Sequence, residues 1–237
     1  MYLRGDKLTK KITKGLISLG FLAVGLSMIV HGQIGRGGAT ITLAIAGMYW
    51  VEYREAMRYF DSILQRIFVC VSFDTVEDLA ENLSKQMLNR HISKEVSAIA
   101  TLLMDYYAGE FEAVRGRQQT FYLKRMKRWQ SIVSLHAAVA LGETLDDAAQ
   151  ARLKRFQAET ADPIEQRMIQ LLMLKTSPLT MDAVTAMRKL DNTNLHTAEL
   201  CKIMATLSEQ PNRQYAYQKS ANNLAPKTYL YQSMEEV

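Results

Sequence analysis

Hydrophobic and polar positions divide this chain sharply. Two uncharged apolar segments, residues 15–35 and 37–51, are separated by Arg36 alone, and only charge-rich sequence follows. The first, read from Gly15 through His31 and Gln33, is a span of about 20 residues, the length a helix needs to cross a hydrocarbon core of about 30 Å. The second, residues 39–51, is shorter, but it ends in Tyr49, Trp50 and Tyr53, the amphipathic aromatics that sit at headgroup level. The glycine-rich connector 32–38 reads as a tight turn. The pattern predicts a transmembrane helical hairpin over residues 15–51, with Gly15, Gly20, Ala23, Gly25 and Ser27 allowing close helix approach.

Beyond the hairpin the apolar spacing changes. Tyr53, Ala56, Met57, Phe60, Ile63, Leu64, Ile67, Phe68 and Val71 recur at three and four residues, one face of an amphipathic helix, with Glu52, Arg54, Glu55, Asp61 and Arg66 on the other. Residues 68–73 also suit a short strand, because β-branched and aromatic side chains are concentrated there. Asp74 with Glu77 reads as a capping box that opens a helix with Val76, Leu79, Ala80, Leu83 and Met87 on its apolar face. From residue 93 the periodicity is helical throughout. It predicts helix pairs 94–108 with 110–124, 127–141 with 145–158, 163–175 with 181–190, and 195–208 with 212–224. Asp162 and Pro163 supply an N-cap and a proline at the first helical position, and Gly109 and Gly142 suit left-handed helix ends.

The fold class expected is therefore all-α, an N-terminal transmembrane helical hairpin followed by a cytoplasmic α-solenoid-like helical domain. Its divisions are a basic N-terminus at 1–14, the hairpin at 15–51, amphipathic connecting helices at 52–92, the helical domain at 93–224 and a tail at 225–237. Breaks at Gly109, Gly142, Pro178 and Pro211 recur roughly every 34 residues, and an alanine follows each at Ala113, Ala148, Ala183 and Ala216. The stretch Tyr106-Tyr107-Ala108-Gly109-Glu110-Phe111-Glu112-Ala113-Val114 resembles the turn region of a tetratricopeptide repeat, and residues 141–148 are a second match. The resemblance implies stacked helix hairpins that bind a protein or peptide. An irregular bundle of four hairpins is the alternative.

Charge adds a topology. The chain of 237 residues carries a formal +5, and Arg4, Lys7, Lys10, Lys11 and Lys14 precede the first apolar segment against Asp6 alone. Only Arg36 sits in the connector, while Arg54, Arg58 and Arg66 follow the second segment. The positive-inside rule then places both termini and the main domain in the cytoplasm, at a cell or inner membrane. Two readings compete. A secretory signal peptide shares the basic and apolar regions, but no Ala-x-Ala-like site follows Val30. A buried hairpin of a soluble protein needs a large surrounding core.

Little in the sequence points to chemistry. Cys70 and Cys201 lack ligand spacing and read as free thiols in a reducing compartment. His31, His91, His136 and His196 have no partner at metal or triad spacing and read as surface or half-buried side chains. No phosphate loop, dinucleotide fingerprint or nucleophile elbow is present, so no enzyme activity, cofactor or metal is expected. The acidic pairs Asp146/Asp147 and Glu235/Glu236 fit a helix start and a chain end. The unusual element is basic: Arg115, Arg117, Lys124, Arg125, Lys127 and Arg128, six cations with no intervening acid, interleaved with Phe121, Tyr122 and Trp129. These six are the candidate partner-binding residues, for an acidic protein or peptide segment or for anionic lipid of the bilayer. The function expected is a membrane-anchored scaffold or adaptor. The alternative is a membrane-tethered nucleic-acid-binding or regulatory protein using the same 115–128 segment.

Overall fold

The computed structural model describes residues 3–117, 119–190 and 192–231, with side chains from residue 12 onward. The side chains of Arg4, Asp6, Lys7, Lys10 and Lys11, and all of Glu235 and Glu236, lie outside the described residues. Among the described residues every regular element is an α-helix. Two compact units are present, Met1–Ser62 with Glu77–Ser97 and Ile63–Val76 with Ala98–Val237.

In the first unit, α1 (Leu3–Val30) and the N-terminal part of α2 (Ile34–Phe68) run antiparallel in constant register. Lys14 Nζ meets Glu52 Oε1 at 3.3 Å, Ser18 Oγ meets Met48 Sδ at 2.9 Å, and Thr40 Oγ1 lies 3.8 Å from Met28 Sδ. Two glycines set the closest approach. A Cβ on Gly25 would lie 2.5 Å from Ile41 Cγ1, and one on Gly37 would lie 2.5 Å from the Gly25 carbonyl oxygen. Of the small residues singled out in α1, Gly25 makes this contact, whereas Gly15 and Gly20 face open space. Residues Ile12–Val30 are long and apolar enough to cross a membrane, and hardly any of that stretch is buried by protein. Leu16, Leu19 and Phe21 on α1, and Leu43, Ile45 and Trp50 on α2, are exposed.

The second apolar segment and the amphipathic stretch form one continuous helix, α2. It ends at Phe68, and residues 69–73 are irregular rather than a strand. Val71 there has φ 51°, a conformation costly for a β-branched residue and incompatible with extended pairing. Glu52, assigned by spacing to the polar face, is instead buried. Its Oε2 accepts the backbone N–H of Leu88 at 2.9 Å and of Asn89 at 3.1 Å, donors exposed just ahead of α4 (Arg90–Ala108). The helix between, α3 (Asp74–Gln86), begins where the Asp74 signal placed it.

The second unit continues with α5 (Phe111–Gly116), α6 (Lys124–Ala140), α7 (Asp147–Glu159), α8 (Pro163–Lys175), α9 (Met181–Arg188), α10 (Asn194–Leu207) and α11 (Pro211–Leu224). The helix expected over 110–124 is a correction: it stops at Gly116, after which Arg117 is extended and Phe121 and Leu123 are buried without helix. Apolar burial at both positions holds an irregular segment there in place of helical turns. The other boundaries follow their local chemistry. Gly109 and Gly142 have φ of 90° and 84°, and after the second the Glu143 N–H reaches back to the Ala138 carbonyl at 2.9 Å, closing the helix as such a cap does. Asp162 Oδ1 accepts from the N–H of Ile164 at 2.9 Å and of Glu165 at 3.4 Å. Helix α6 packs on α8, α8 on α10, α7 on α8 and α9 on α10, and α11 covers α10. One apolar cluster shows the logic: Leu171 of α8, Val184 and Met187 of α9, and Leu200 and Met204 of α10 are buried together.

Candidate functional site

Helix α6 presents two faces. Met126, Trp129, Ile132, Val133, His136 and Ala137 are buried, whereas Lys127, Gln130, Ser131 and Ser134 line an open hollow of about 570 Å³ together with Arg115 and Arg152. A second hollow of about 400 Å³, lined by Arg115, Arg117, Gln119, Thr120, Gln130 and Ser134, continues from it through shared residues. Of the six cations singled out in the sequence, Arg115, Arg117 and Lys127 line these hollows, and the set is not uncompensated. Arg115 meets Glu143 at 3.3 Å, Arg117 meets Asp105 at 2.8 Å, and Lys124 meets Glu159 at 2.9 Å. Arg125 reaches Asp162 at 2.5 Å, and Arg128 pairs with the fully buried Glu165. Lys127 is exposed and has no carboxylate partner among the described residues. Sequence spacing overlooked these partners because each comes from a different helix or turn.

The basic run of α6 thus braces the α7–α8 turn. Lys124, Arg125 and Arg128 face Glu159, Asp162 and Glu165 in order, while Thr160 Oγ1 donates to Glu165 Oε2 at 3.0 Å. The exposed Lys124 pair is screened by solvent and contributes little. Removing Arg128 would strand a buried carboxylate, which costs about 3–5 kcal/mol.

A second cluster went unseen in the sequence. Glu199 of α10 is buried and pairs with Lys175 at the end of α8. Its Oε1 also accepts the Tyr229 hydroxyl at 2.7 Å and the Tyr106 hydroxyl at 3.4 Å, and the two hydroxyls are 3.1 Å apart. His136 of α6 stands 3.5 Å from Tyr106 Oη through Nδ1 and donates Nε2–H to the Met168 carbonyl at 2.9 Å. Burial pushes the Tyr106 phenol up to about 12 and the His136 imidazole down to about 4. For Glu199, burial acts upward, but Lys175 and the hydrogen bonds from Lys175 and Tyr229 outweigh it and hold the carboxyl at about 2. Lys175 is raised: its burial acts downward and Glu199 more than offsets it. The cluster is a fixed carboxylate–ammonium pair ringed by neutral phenols and a neutral imidazole.

Two histidines correct the sequence expectation. His136 and His196 are fully buried rather than at the surface. His196 Nδ1 lies 3.0 Å from Thr193 Oγ1, its Nε2 has no partner, and its ring lies 5.0 Å from that of Phe68. Burial lowers it to about 3. Both therefore serve as neutral packing groups. His31 and His91 are exposed. Both cysteines are free, Cys70 exposed and Cys201 buried, and burial raises the Cys201 thiol. Comparison with protein-family models, with curated proteins and with solved structures finds no match.

Proposed function

We propose that the chain is a two-span membrane anchor carrying a tetratricopeptide-like helical scaffold on the cytoplasmic side, and that the scaffold holds an acidic protein or peptide segment at the membrane. The observation that carries the anchor is the antiparallel register of α1 with the first half of α2, locked at Gly25 and Gly37. A helix packed along the full apolar length of a spanning partner, and itself exposing Leu43, Ile45 and Trp50, shares its lipid environment. The packing of α6 on α8 and α8 on α10 is what stacked hairpins require.

For the partner surface, the favoured location is the hollow along α6. There Lys127 and Arg152 project beside hydroxyl and amide side chains, and the two carboxylates that share the lining are engaged already, Glu143 by Arg115 and Asp146 by the Ala149 N–H, a setting that receives a further carboxylate at the two cations. The alternative, a membrane-tethered nucleic-acid-binding or regulatory protein, draws on the same basic run. Five of its six cations already hold a carboxylate, which lowers the field available to a polyanion.

Topology is tested with Gln33→Cys in whole cells and a membrane-impermeant maleimide. The new cysteine should label from outside, while the exposed Cys70 should label only after lysis. Labelling of Cys70 in intact cells would overturn the orientation. For binding, the probe is a fluorescent oligo-glutamate peptide on the detergent-solubilised full chain. Lys127→Glu with Arg152→Glu should weaken it by about tenfold or more, in a salt-dependent way. Unchanged affinity would remove the α6 hollow from the proposal.

A further inference from the structure

After α11 the chain runs through residues 225–231 without helix, and this short strap is received like a bound ligand. Tyr229 is gripped at three points. Its N–H donates to the Tyr107 carbonyl at 2.8 Å, its carbonyl accepts from Lys202 Nζ at 2.8 Å, and its hydroxyl donates to Glu199 Oε1 at 2.7 Å. The next residue, Leu230, is buried and its carbonyl accepts from Gln218 Nε2 at 3.3 Å. Around the Tyr229 ring stand Phe111 at 5.0 Å, Tyr106 at 5.6 Å and Tyr107 at 6.2 Å, with the Lys202 ammonium 5.4 Å from the ring centre. Pro226 and Lys227 before this pair, and Tyr231 after it, are exposed.

Three features separate this from ordinary core packing. First, the strap's backbone groups at positions 229 and 230 are satisfied by side chains and by a carbonyl in the last turn of α4, where helical carbonyls lack partners within the helix. The strap itself is folded into turns, with the Tyr231 N–H on the Thr228 carbonyl at 3.0 Å, so what the socket grips is a turn presenting one tyrosine ring and its main chain. Second, the chain leaves room for the strap: a Cβ at Gly109 would come 3.3 Å from Tyr229 Cβ. Third, Glu199 Oε2 is buried and has no donor even with Tyr229 in place, so the socket offers more acceptor capacity than the strap uses.

We propose that the socket formed by Tyr106, Tyr107, Phe111, Glu199 and Lys202 is a binding site for a turn-forming peptide bearing an unphosphorylated tyrosine–leucine pair, occupied in cis by the chain's own residues 225–231. A partner segment enters by displacing the strap. The tether keeps the strap at an effective concentration in the millimolar range, so a free peptide must compete against it. A phosphate on the incoming tyrosine would set two negative charges against the Glu199 carboxylate and is excluded. This site is distinct from the α6 hollow, so its test stands whether or not that hollow binds anything.

The test uses the full chain in detergent micelles and a labelled peptide, Ala-Pro-Lys-Thr-Tyr-Leu-Tyr, the sequence of residues 225–231. Tyr229→Ala empties the socket while keeping the tail. The peptide should bind this variant at least about tenfold more tightly than the wild-type chain. A peptide with phenylalanine at the central tyrosine should bind about tenfold more weakly, since the bond to Glu199 is lost, and the phosphotyrosine peptide should not bind. Equal or absent binding to both proteins, with helical circular dichroism intact, overturns the proposal. Loss of helical structure in Tyr229→Ala overturns it as well, because Tyr229 would then be an integral core residue and not a displaceable ligand.

Discussion

Lowering the pH from 7.5 to 5 should destabilise the helical unit by about 4 kcal/mol, because two buried histidines are held neutral in the fold. Burial places His136 at about 4 and His196 at about 3, against the usual 6.5. The charges that face them act with and against burial: Lys175 pushes both down, Glu199 pulls both up, and Arg167 adds a further downward push on His196. Since the folded values are depressed, the unfolded chain takes up the protons first. The stabilisation is complete above pH 6.5 and is lost as pH falls towards 4 and 3. Each histidine contributes about 1.4 kcal/mol per pH unit in that window, hence about 2 kcal/mol at pH 5. Glu199 does not blur the measurement. Its folded value of about 2 lies below the usual 4.5, so its stabilisation is lost only below about pH 4.5.

The assay is urea unfolding of the full chain in mild detergent, followed by tryptophan fluorescence in a Trp50→Phe background. Trp129, which is fully buried, then reports alone. His196→Phe keeps an aromatic ring against Phe68 and removes one titrating group together with its unpartnered Nε2. It should halve the pH dependence and leave the protein about 2 kcal/mol more stable than the parent at pH 5, relative to their difference at pH 7.5. A stability that stays flat between pH 7.5 and 5, or a slope that His196→Phe leaves unchanged, would refute the reasoning.

Lys175→Met should cost about 3–5 kcal/mol by leaving Glu199 buried and unpaired, whereas Lys175→Met with Glu199→Met should recover most of that loss; a double-mutant cycle with no coupling would contradict the pairing. Between α1 and α2, Gly37→Leu drives a Cβ into the Gly25 carbonyl, while Gly47→Leu enters open space. A Ser18→Cys, Met48→Cys pair, placed where the native side chains meet at 2.9 Å, should therefore crosslink readily with Gly47→Leu and poorly with Gly37→Leu.

Where local chemistry decides, the sequence was a sufficient guide. Asp162 and Pro163 open a helix because an N-cap and a fixed φ act within one turn. Gly109 and Gly142 close helices because a left-handed residue is needed at one position. The apolar stretch of α1 and the start of α3 at Asp74 were legible for the same reason. The failures share a cause of the opposite kind. The sequence pattern continues a helix to residue 124, but burial of Phe121 and Leu123 holds residues 119–123 out of one. Glu52 falls on the polar side by spacing, yet two N–H groups 36 and 37 residues away bury it.

The six cations make the same point about function. A run without acids in sequence predicts a strong local field, but field depends on distance in space, and α6 lies where Glu159, Asp162 and Glu165 line up against Lys124, Arg125 and Arg128. In the hollow along α6 the cations without a carboxylate among the described residues are Lys127 and Arg152, beside the Arg115–Glu143 pair. Conversely, Tyr106, Lys175, Glu199 and Tyr229 share no local spacing, so no sequence pattern could gather them. The fold brings them together by packing α10 beside α8 and returning the chain after α11 to the end of α4. A cluster built from α4, α8, α10 and the chain after α11 draws on positions tens of residues apart, so its chemistry becomes readable only once the packing of these helices is known.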